Sequence, residues 1–73
     1  MKSYLTIWFS TEGKQPMDII DRLMGMGFRP VKGNYDFVYD WSKKATIDEA
    51  INLTNKVYSS LKGCHVHFRV ETD

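Results

Sequence analysis

Residues 28–41 read FRPVKGNYDFVYDW, and this stretch decides the fold of the chain. Two segments that alternate between apolar and polar residues, 28–32 and 35–41, flank Gly33-Asn34, which predicts a β-hairpin with a two-residue turn. The turn also fixes which side chains share a face of the hairpin. One face of the predicted hairpin carries the aromatic side chains of Phe28, Tyr35, Phe37, Tyr39 and Trp41.

The other face of the hairpin contains two aspartates, and burying them beneath helices without partners is costly. We therefore expect the helices to cover the aromatic face. The register places Pro30 opposite Phe37, and because proline has no N–H for a ladder, strand 28–32 should lie at an edge of the sheet. The face away from the helices then carries Arg29, Val31, Asp36, Val38 and Asp40.

A helix is predicted on each side of this hairpin. The first begins at Pro16, whose fixed φ suits the first helical position, and ends at Gly25-Met26-Gly27. The second begins at a capping box formed by Thr46 and Glu49 and ends at Lys62-Gly63. Apolar residues at helical spacing should face the core: Met17, Ile20, Leu23 and Met24 in the first helix, and Ile47, Ala50, Ile51, Thr54, Val57, Tyr58 and Leu61 in the second.

Alternating segments at the two ends of the sequence, Tyr4–Ser10 and His65–Glu71, predict two more strands. A polar break at Thr11–Lys14 separates the first of them from the first helix. We expect inward side chains at Leu5, Ile7 and Phe9 and at Val66, Phe68 and Val70. Outward side chains are expected at Tyr4, Thr6 and Trp8 and at His65, His67 and Arg69.

The element order is therefore βαββαβ, which predicts an α+β ferredoxin-like sandwich. Two helices cover one face of a four-stranded antiparallel sheet with strand order 4-1-3-2. A chain of 73 residues holds one small hydrophobic core, so we expect a single domain over residues 1–73.

The uncovered sheet face is the candidate binding surface, because its apolar centre is flanked by charges. Trp8 and Val38 are the expected anchors of self-association into a homodimer or higher homo-oligomer. The polar residues would set the register or contact a small effector, and protonation of the histidines at pH 5.5 would loosen the contact. The predicted surface consists of Tyr4, Thr6, Trp8, Arg29, Val31, Asp36, Val38, Asp40, His65, His67 and Arg69.

Composition argues against several classes of function. The net charge of +1 lacks the basic excess of a phosphate-neutralising nucleic-acid binder. A single cysteine, Cys64, cannot form an internal disulfide and is typical of a reducing compartment, so we expect a cytoplasmic protein. No long apolar run indicates a signal peptide or a membrane span.

The segment Met24–Pro30 resembles the Gly-x-Gly-Phe-Arg phosphate loop of acylphosphatases. In that family the loop opens the first helix, whereas here the glycines close a helix and Phe28-Arg29 opens a strand. Since no nucleophile or acid–base constellation stands out either, we expect no enzyme, no catalytic residue and no cofactor; acylphosphatase activity is a minor alternative. The pair His65 and His67 is assigned to the surface and not to a metal.

The segment Lys32–Tyr39 partly resembles the central-strand octamer of RNA-recognition motifs, and Glu49–Ile51 looks like part of the second helix of that fold. The resemblance implies single-stranded RNA binding by stacking of Tyr35 and Phe37 on bases. The predicted register turns both rings inward, and Asp36 would repel phosphate. RNA binding is therefore the alternative to self-association.

The segment Gly33–Val38 most resembles the Gly-x-Tyr-Asp-aromatic-apolar segment of dimeric α/β-barrel domains, the GYD-type proteins and the ligand-sensing domain of Lrp/AsnC regulators. The resemblance extends over roughly residues 28–72. It implies that uncovered sheet faces pack together in a dimer and that a small effector can bind between subunits. No helix-turn-helix precedes the domain in this sequence, so we do not expect a transcription factor; a regulatory ACT-type domain is a related possibility.

Overall fold

Alternation along the first strand sets the layering of the whole molecule. In a computed structural model that describes residues 1–12 and 15–73, Ser3, Leu5 and Ile7 are buried while their neighbours are half-buried or exposed. Gly13 and Lys14, part of the predicted polar break, lie outside the described residues. The elements are β1 Lys2–Trp8, α1 Pro16–Gly25, β2 Arg29–Pro30, β3 Phe37–Asp40, α2 Ile47–Leu61 and β4 His67–Thr72.

The strands form one antiparallel sheet in the order β2-β3-β1-β4, which is the predicted order read from the other edge. The α+β ferredoxin-like arrangement is thereby confirmed. Proline at position 30 lies on an edge strand, as its missing N–H requires.

Cross-strand register decides which side chains share a face, since directly opposed residues point the same way. Leu5 is opposite Phe37 and Val70, and all three point toward the helices. Tyr4 is opposite Val38 and points away from them. The predicted pairing of Pro30 with Phe37 is confirmed, as is the inward orientation of Phe37, which is 5% exposed.

The core is built from both helices and the inner face of the sheet. Phe28 and Tyr39 meet edge to face, and Tyr39 meets Trp41 in the same way, with ring centroids 5.5 and 4.9 Å apart. Trp41 Nε1 donates to Ser3 Oγ at 2.8 Å, which satisfies a fully buried hydroxyl. The buried core cluster comprises Leu5, Ile7, Ile19, Leu23, Phe28, Phe37, Leu53, Val57, Leu61 and Cys64.

Helix α1 ends as the glycines predict. Gly27 has φ +106°, and the N–H groups of Gly27 and Phe28 donate to the carbonyls of Met24 and Leu23. These are the two hydrogen bonds of a Schellman motif, with Gly27 in the left-handed position. A Cβ at Gly27 would also lie 2.9 Å from Tyr39 Cε2, so this position requires glycine for two reasons.

Both helices are rotated relative to the predicted stripes. In α1 the buried residues are Ile19 and Leu23, while Met17 and Met24 are exposed and Ile20 is half-buried. In α2 the capping box of Thr46 and Glu49 is confirmed by both of its hydrogen bonds. The buried stripe of α2 is Leu53, Val57 and Leu61, with Ala50 and Thr54 half-buried and Ile47, Ile51 and Tyr58 exposed.

All four strands have other bounds than predicted. β2 and β3 pair over only two positions each, so the predicted two-residue turn is a longer connection over residues 31–36. β4 begins at His67 because His65, at φ +57°, is in the left-handed region and cannot continue a strand. β1 ends at Trp8, so Phe9 lies beyond the strand and is 43% exposed instead of inward.

Candidate binding surface

The sheet face opposite the helices carries one row of side chains across all four strands. In this row Arg29 of β2, Val38 of β3, Tyr4 of β1 and Glu71 of β4 are successive cross-strand partners. We call this surface the open face. Its members on the four strands are Lys2, Tyr4, Thr6, Trp8, Arg29, Val38, Asp40, His67, Arg69 and Glu71.

One end of the open face presents an uncovered aromatic ring. Trp8 is 52% exposed and is paired across the strands with His67 of β4, which is also exposed. Phe9 follows directly and is exposed as well. Large exposed aromatic side chains at the end of a sheet are suitable anchors for a partner.

The other end of the open face is occupied by the protein itself. Tyr35 stacks on Tyr4 with ring centroids 4.6 Å apart, and its hydroxyl donates to Glu71 Oε2 at 2.7 Å. Glu71 also pairs with Arg69 Nε at 3.1 Å. The hydrogen bond to Glu71, and then the charge of that carboxylate, raise the pKa of Tyr35 above its ordinary value near 10. The predicted inward orientation of Tyr35 is therefore wrong.

Asp36 explains why Tyr35 departs from the predicted register. Its N–H donates to Leu5 O at 2.9 Å, and its carboxylate Oδ2 accepts from Ile7 N, also at 2.9 Å. In a regular ladder a backbone carbonyl of the neighbouring strand would accept the hydrogen bond from Ile7 N–H, and here the Asp36 carboxylate accepts it instead. Asp36, predicted among the polar groups of the binding surface, is exposed, and its carboxylate also extends the β1–β3 ladder.

Arg29 is exposed, and its guanidinium turns back toward the end of α1. Nη1 donates to Phe28 O at 2.8 Å and to Met24 O at 3.3 Å. In the Gly-x-Gly-Phe-Arg segment, Arg29 therefore contacts carbonyl oxygens at the C-terminal end of α1. The partial negative charge at a helix C-terminus disfavours binding of a phosphate there. These contacts use one of the guanidinium nitrogens and leave further donors for other contacts.

Three further predicted surface residues are Val31, next to β2, Asp40, at the end of β3, and Thr6, on β1. Val31 is half-buried, and its N–H donates to Asp36 O at 3.0 Å. Asp40 is exposed and lies opposite Lys2, and its Oδ1 accepts from Ser42 N at 2.9 Å. Thr6 is half-buried and lies opposite Arg69.

His65 is not on the open face with His67. It lines a groove of about 310 Å³ beside the end of α2, together with Tyr58 and Phe68. Within residues 1–12 and 15–73, no group of three His, Cys, Asp or Glu side chains could hold a metal ion. Cys64 is buried within the core cluster, and its Sγ accepts from Arg22 Nη1 at 3.3 Å.

Alternation alone could have identified two surface residues that we omitted. Continuing the period of two along the outer strands adds Lys2 at the start of β1 and Glu71 near the end of β4. The resemblance to RNA-recognition motifs implied an outward Tyr35, but the predicted strand register did not, because the position of this residue depends on the way Asp36 bonds to β1.

A second groove, of about 570 Å³, lies on the helix layer between Met26 and the polar flank of α2 and is wide open. In the part of the chain that the structure describes, no helix is long and apolar enough to cross a membrane.

Comparisons with protein-family models, with curated proteins and with solved structures find no match for this chain. The proposed role of the open face therefore depends on its own geometry.

Proposed function

We propose that this protein is a small non-enzymatic binding module whose open face packs against the open face of a second copy. The observation that carries the proposal is the row Arg29–Val38–Tyr4–Glu71, which is positive at one end, apolar in the middle and negative at the other. If the second copy presents the same row in the reverse order, each positive end meets a negative end and the apolar centres meet each other. Two-fold dimers require that kind of surface.

A two-fold axis parallel to the strands supplies the reversal. Rotation about this axis keeps each row of side chains at the same position along the strands. It places β2 over β4 of the second copy, and β3 over β1 of the second copy. Arg29 then lies over Glu71 of the second copy, and its guanidinium turns from the end of α1 to meet that carboxylate, while Val38 faces the Tyr4–Tyr35 stack. In the neighbouring row Asp40 faces Lys2 of the second copy. Opposite charges therefore meet in both rows, and complementary potentials favour this orientation over others.

Trp8 extends the contact beyond these rows. The same axis brings this ring over the connection between β2 and β3 of the second copy. Four strands spaced about 4.8 Å apart, each up to seven residues long, present a face of roughly 450 Å². That is below the roughly 800 Å² per partner of a standard interface, so we expect a weak, concentration-dependent dimer.

The main alternative occupant of this face is single-stranded RNA. Tyr35 does lie on the open face, as base stacking would require, but its ring already covers Tyr4. Glu71 and Asp40 add negative charge to the same surface. Self-association uses these carboxylates, whereas RNA binding is opposed by them.

The test is the mass in solution of Trp8→Asp and Val38→Asp, measured by light scattering across a concentration series. Loss of a central anchor costs about 2 kcal/mol, which is about a 30-fold weaker open-face contact. The matched control is Met17→Asp, which changes a comparably exposed side chain on α1. Equal masses for all variants would reject the proposal, and salt-dependent binding of an RNA oligonucleotide that Trp8→Asp abolishes would favour the alternative.

A further inference from the structure

An apolar stripe on α2 is uncovered on the side of the molecule where the sheet ends at β4. Ile47, Ile51 and Tyr58 are 79%, 52% and 61% exposed. With Thr54 they follow the i, i+4, i+7, i+11 spacing of one helix face. Tyr58 lines a groove together with Phe68, which places this stripe on the β4 side of the helix.

The outer side of β4 offers backbone groups for pairing. In an antiparallel ladder, alternate residues direct their N–H and C=O groups toward the neighbouring strand. Asp73 N–H donates to Lys2 O at 3.2 Å, so the odd-numbered residues of β4 bond to β1. Phe68, Val70 and Thr72 therefore direct their backbone groups outward, where the sheet ends.

The opposite edge of the sheet is protected in ways that β4 is not. β2 is two residues long, and Pro30 has no N–H at the position that would point outward. β4 has six residues and contains no proline. Short edges with proline resist added strands, whereas a longer edge without proline can accept one.

Charge selects a single register for pairing β4 with a second β4. Because only even-numbered residues point their backbone groups outward, the pairing must place even residues opposite even ones. When Val70 lies opposite Val70, a two-fold axis passes through this pair. Arg69 of each copy then lies opposite Glu71 of the other copy. The two neighbouring registers would oppose Arg69 to Arg69 or Glu71 to Glu71, and like charges directly opposite are destabilising.

We infer that β4 is an interface with a second copy of this chain, paired antiparallel in the register Val70 opposite Val70. The two four-stranded sheets then continue into one. The overlap of residues 68–72 supplies about six backbone hydrogen bonds. This contact is formed at the edge of β4 and on α2; it shares Arg69 and Glu71 with the open face but does not use Trp8 or Val38.

The same axis brings the two α2 helices together. The right-handed crossover from β3 to β4 carries α2 over β1 and β4. Strand spacing then sets the two helices about 10 Å apart, the distance of packed helices. They are antiparallel, so Ile47 meets Tyr58 of the second copy and Ile51 meets Thr54, and the uncovered stripe is buried.

The first test uses sedimentation velocity on Trp8→Asp, which weakens the open-face contact about 30-fold. We expect this variant to remain dimeric, and addition of Ile51→Glu to make it a monomer. Ile51 is exposed, so the substitution spares the core. Lys56→Glu on the opposite flank of α2 is the matched control and should keep the dimer.

The second test changes the charges of β4 in the same Trp8→Asp background. Arg69→Glu and Glu71→Arg should each weaken the dimer about tenfold, and the double variant should restore it because every pair is again opposite in sign. A monomeric Trp8→Asp protein would overturn the β4 interface while leaving the open-face proposal intact. A dimer that neither Ile51→Glu nor the charge variants affect would overturn it as well.

Discussion

The two faces of β1 differ although their residues alternate along one strand. Leu5 and Ile7 are buried beneath the helices, and even the hydroxyl of Ser3 has a partner there. On the other face Thr6 is half-buried, Tyr4 is half-buried and stacked against Tyr35, and Trp8 is exposed. Stability should therefore depend on the odd-numbered residues and association on the even-numbered ones.

The largest expected effect is on the covered face. Leu5→Ala deletes a fully buried side chain and should lower the free energy of unfolding by about 2–5 kcal/mol. Thr6→Ala, one residue along, should stay within about 0.5 kcal/mol. Urea denaturation of both variants measures the difference, and equal losses would mean that the two faces are not distinct.

Asp36 links the two faces, so its removal should have an intermediate effect. Asp36→Ala leaves the N–H of Ile7 without its carboxylate acceptor, which costs about 1–3 kcal/mol. Asp36→Asn keeps an oxygen at that position and should retain most of the stability. The same denaturation experiment compares them. If the alanine variant is as stable as wild type, the carboxylate does not support the ladder.

A smaller effect, dependent on pH, is expected at the start of α2. The hydrogen bond from Lys43 and those from Thr46 lower the pKa of Glu49 below 4.5. The ionised form stabilises the fold, so this contribution is complete above about pH 4.5 and disappears as the pH falls through the lowered pKa. Glu49→Gln keeps the capping box but loses the charge. Its stability deficit relative to wild type should therefore shrink between pH 6 and pH 3, and a constant deficit would contradict this assignment.

The smallest effect is spectroscopic and belongs to the open face. Because the pKa of Tyr35 is raised, its ring should ionise above pH 10, and the stability from its neutral hydroxyl is lost only as the pH rises through that raised value. Ultraviolet titration of wild type should show a late component that Tyr35→Phe removes. Tyr58→Phe, which changes an exposed tyrosine on α2, should leave that component in place.

The βαββαβ element order predicted the strand order, and alternation predicted the faces of most strand residues. The two faces of β1 follow from a period of two, and the pairing of Pro30 with Phe37 follows from the turn. These features depend on local spacing, which a sequence displays directly.

The errors arise where local spacing does not decide the structure. Apolar residues occupy more than one side of α2, so periodicity could not tell that Leu53 faces the core while Ile51 lies at the edge. Tyr35 and His65 were misplaced for another reason. The position of Tyr35 depends on two hydrogen bonds between Asp36 and β1, one donated by Asp36 N–H and one accepted by its carboxylate, and His65 adopts a left-handed backbone conformation.

The most direct measurement of the self-complementary open face is a charge exchange at Lys2 and Asp40, made in the Ile51→Glu background so that only the open face can dimerise the protein. Lys2→Asp and Asp40→Lys each place like charges opposite one another at two sites in the dimer, which costs about 1 kcal/mol of dimerisation free energy in total. Each variant should therefore have a dimer Kd about fivefold higher, measured by sedimentation equilibrium. The double variant should return the Kd to its starting value. Failure of the double variant to recover, or indifference to all three changes, would contradict the two-fold packing of open faces.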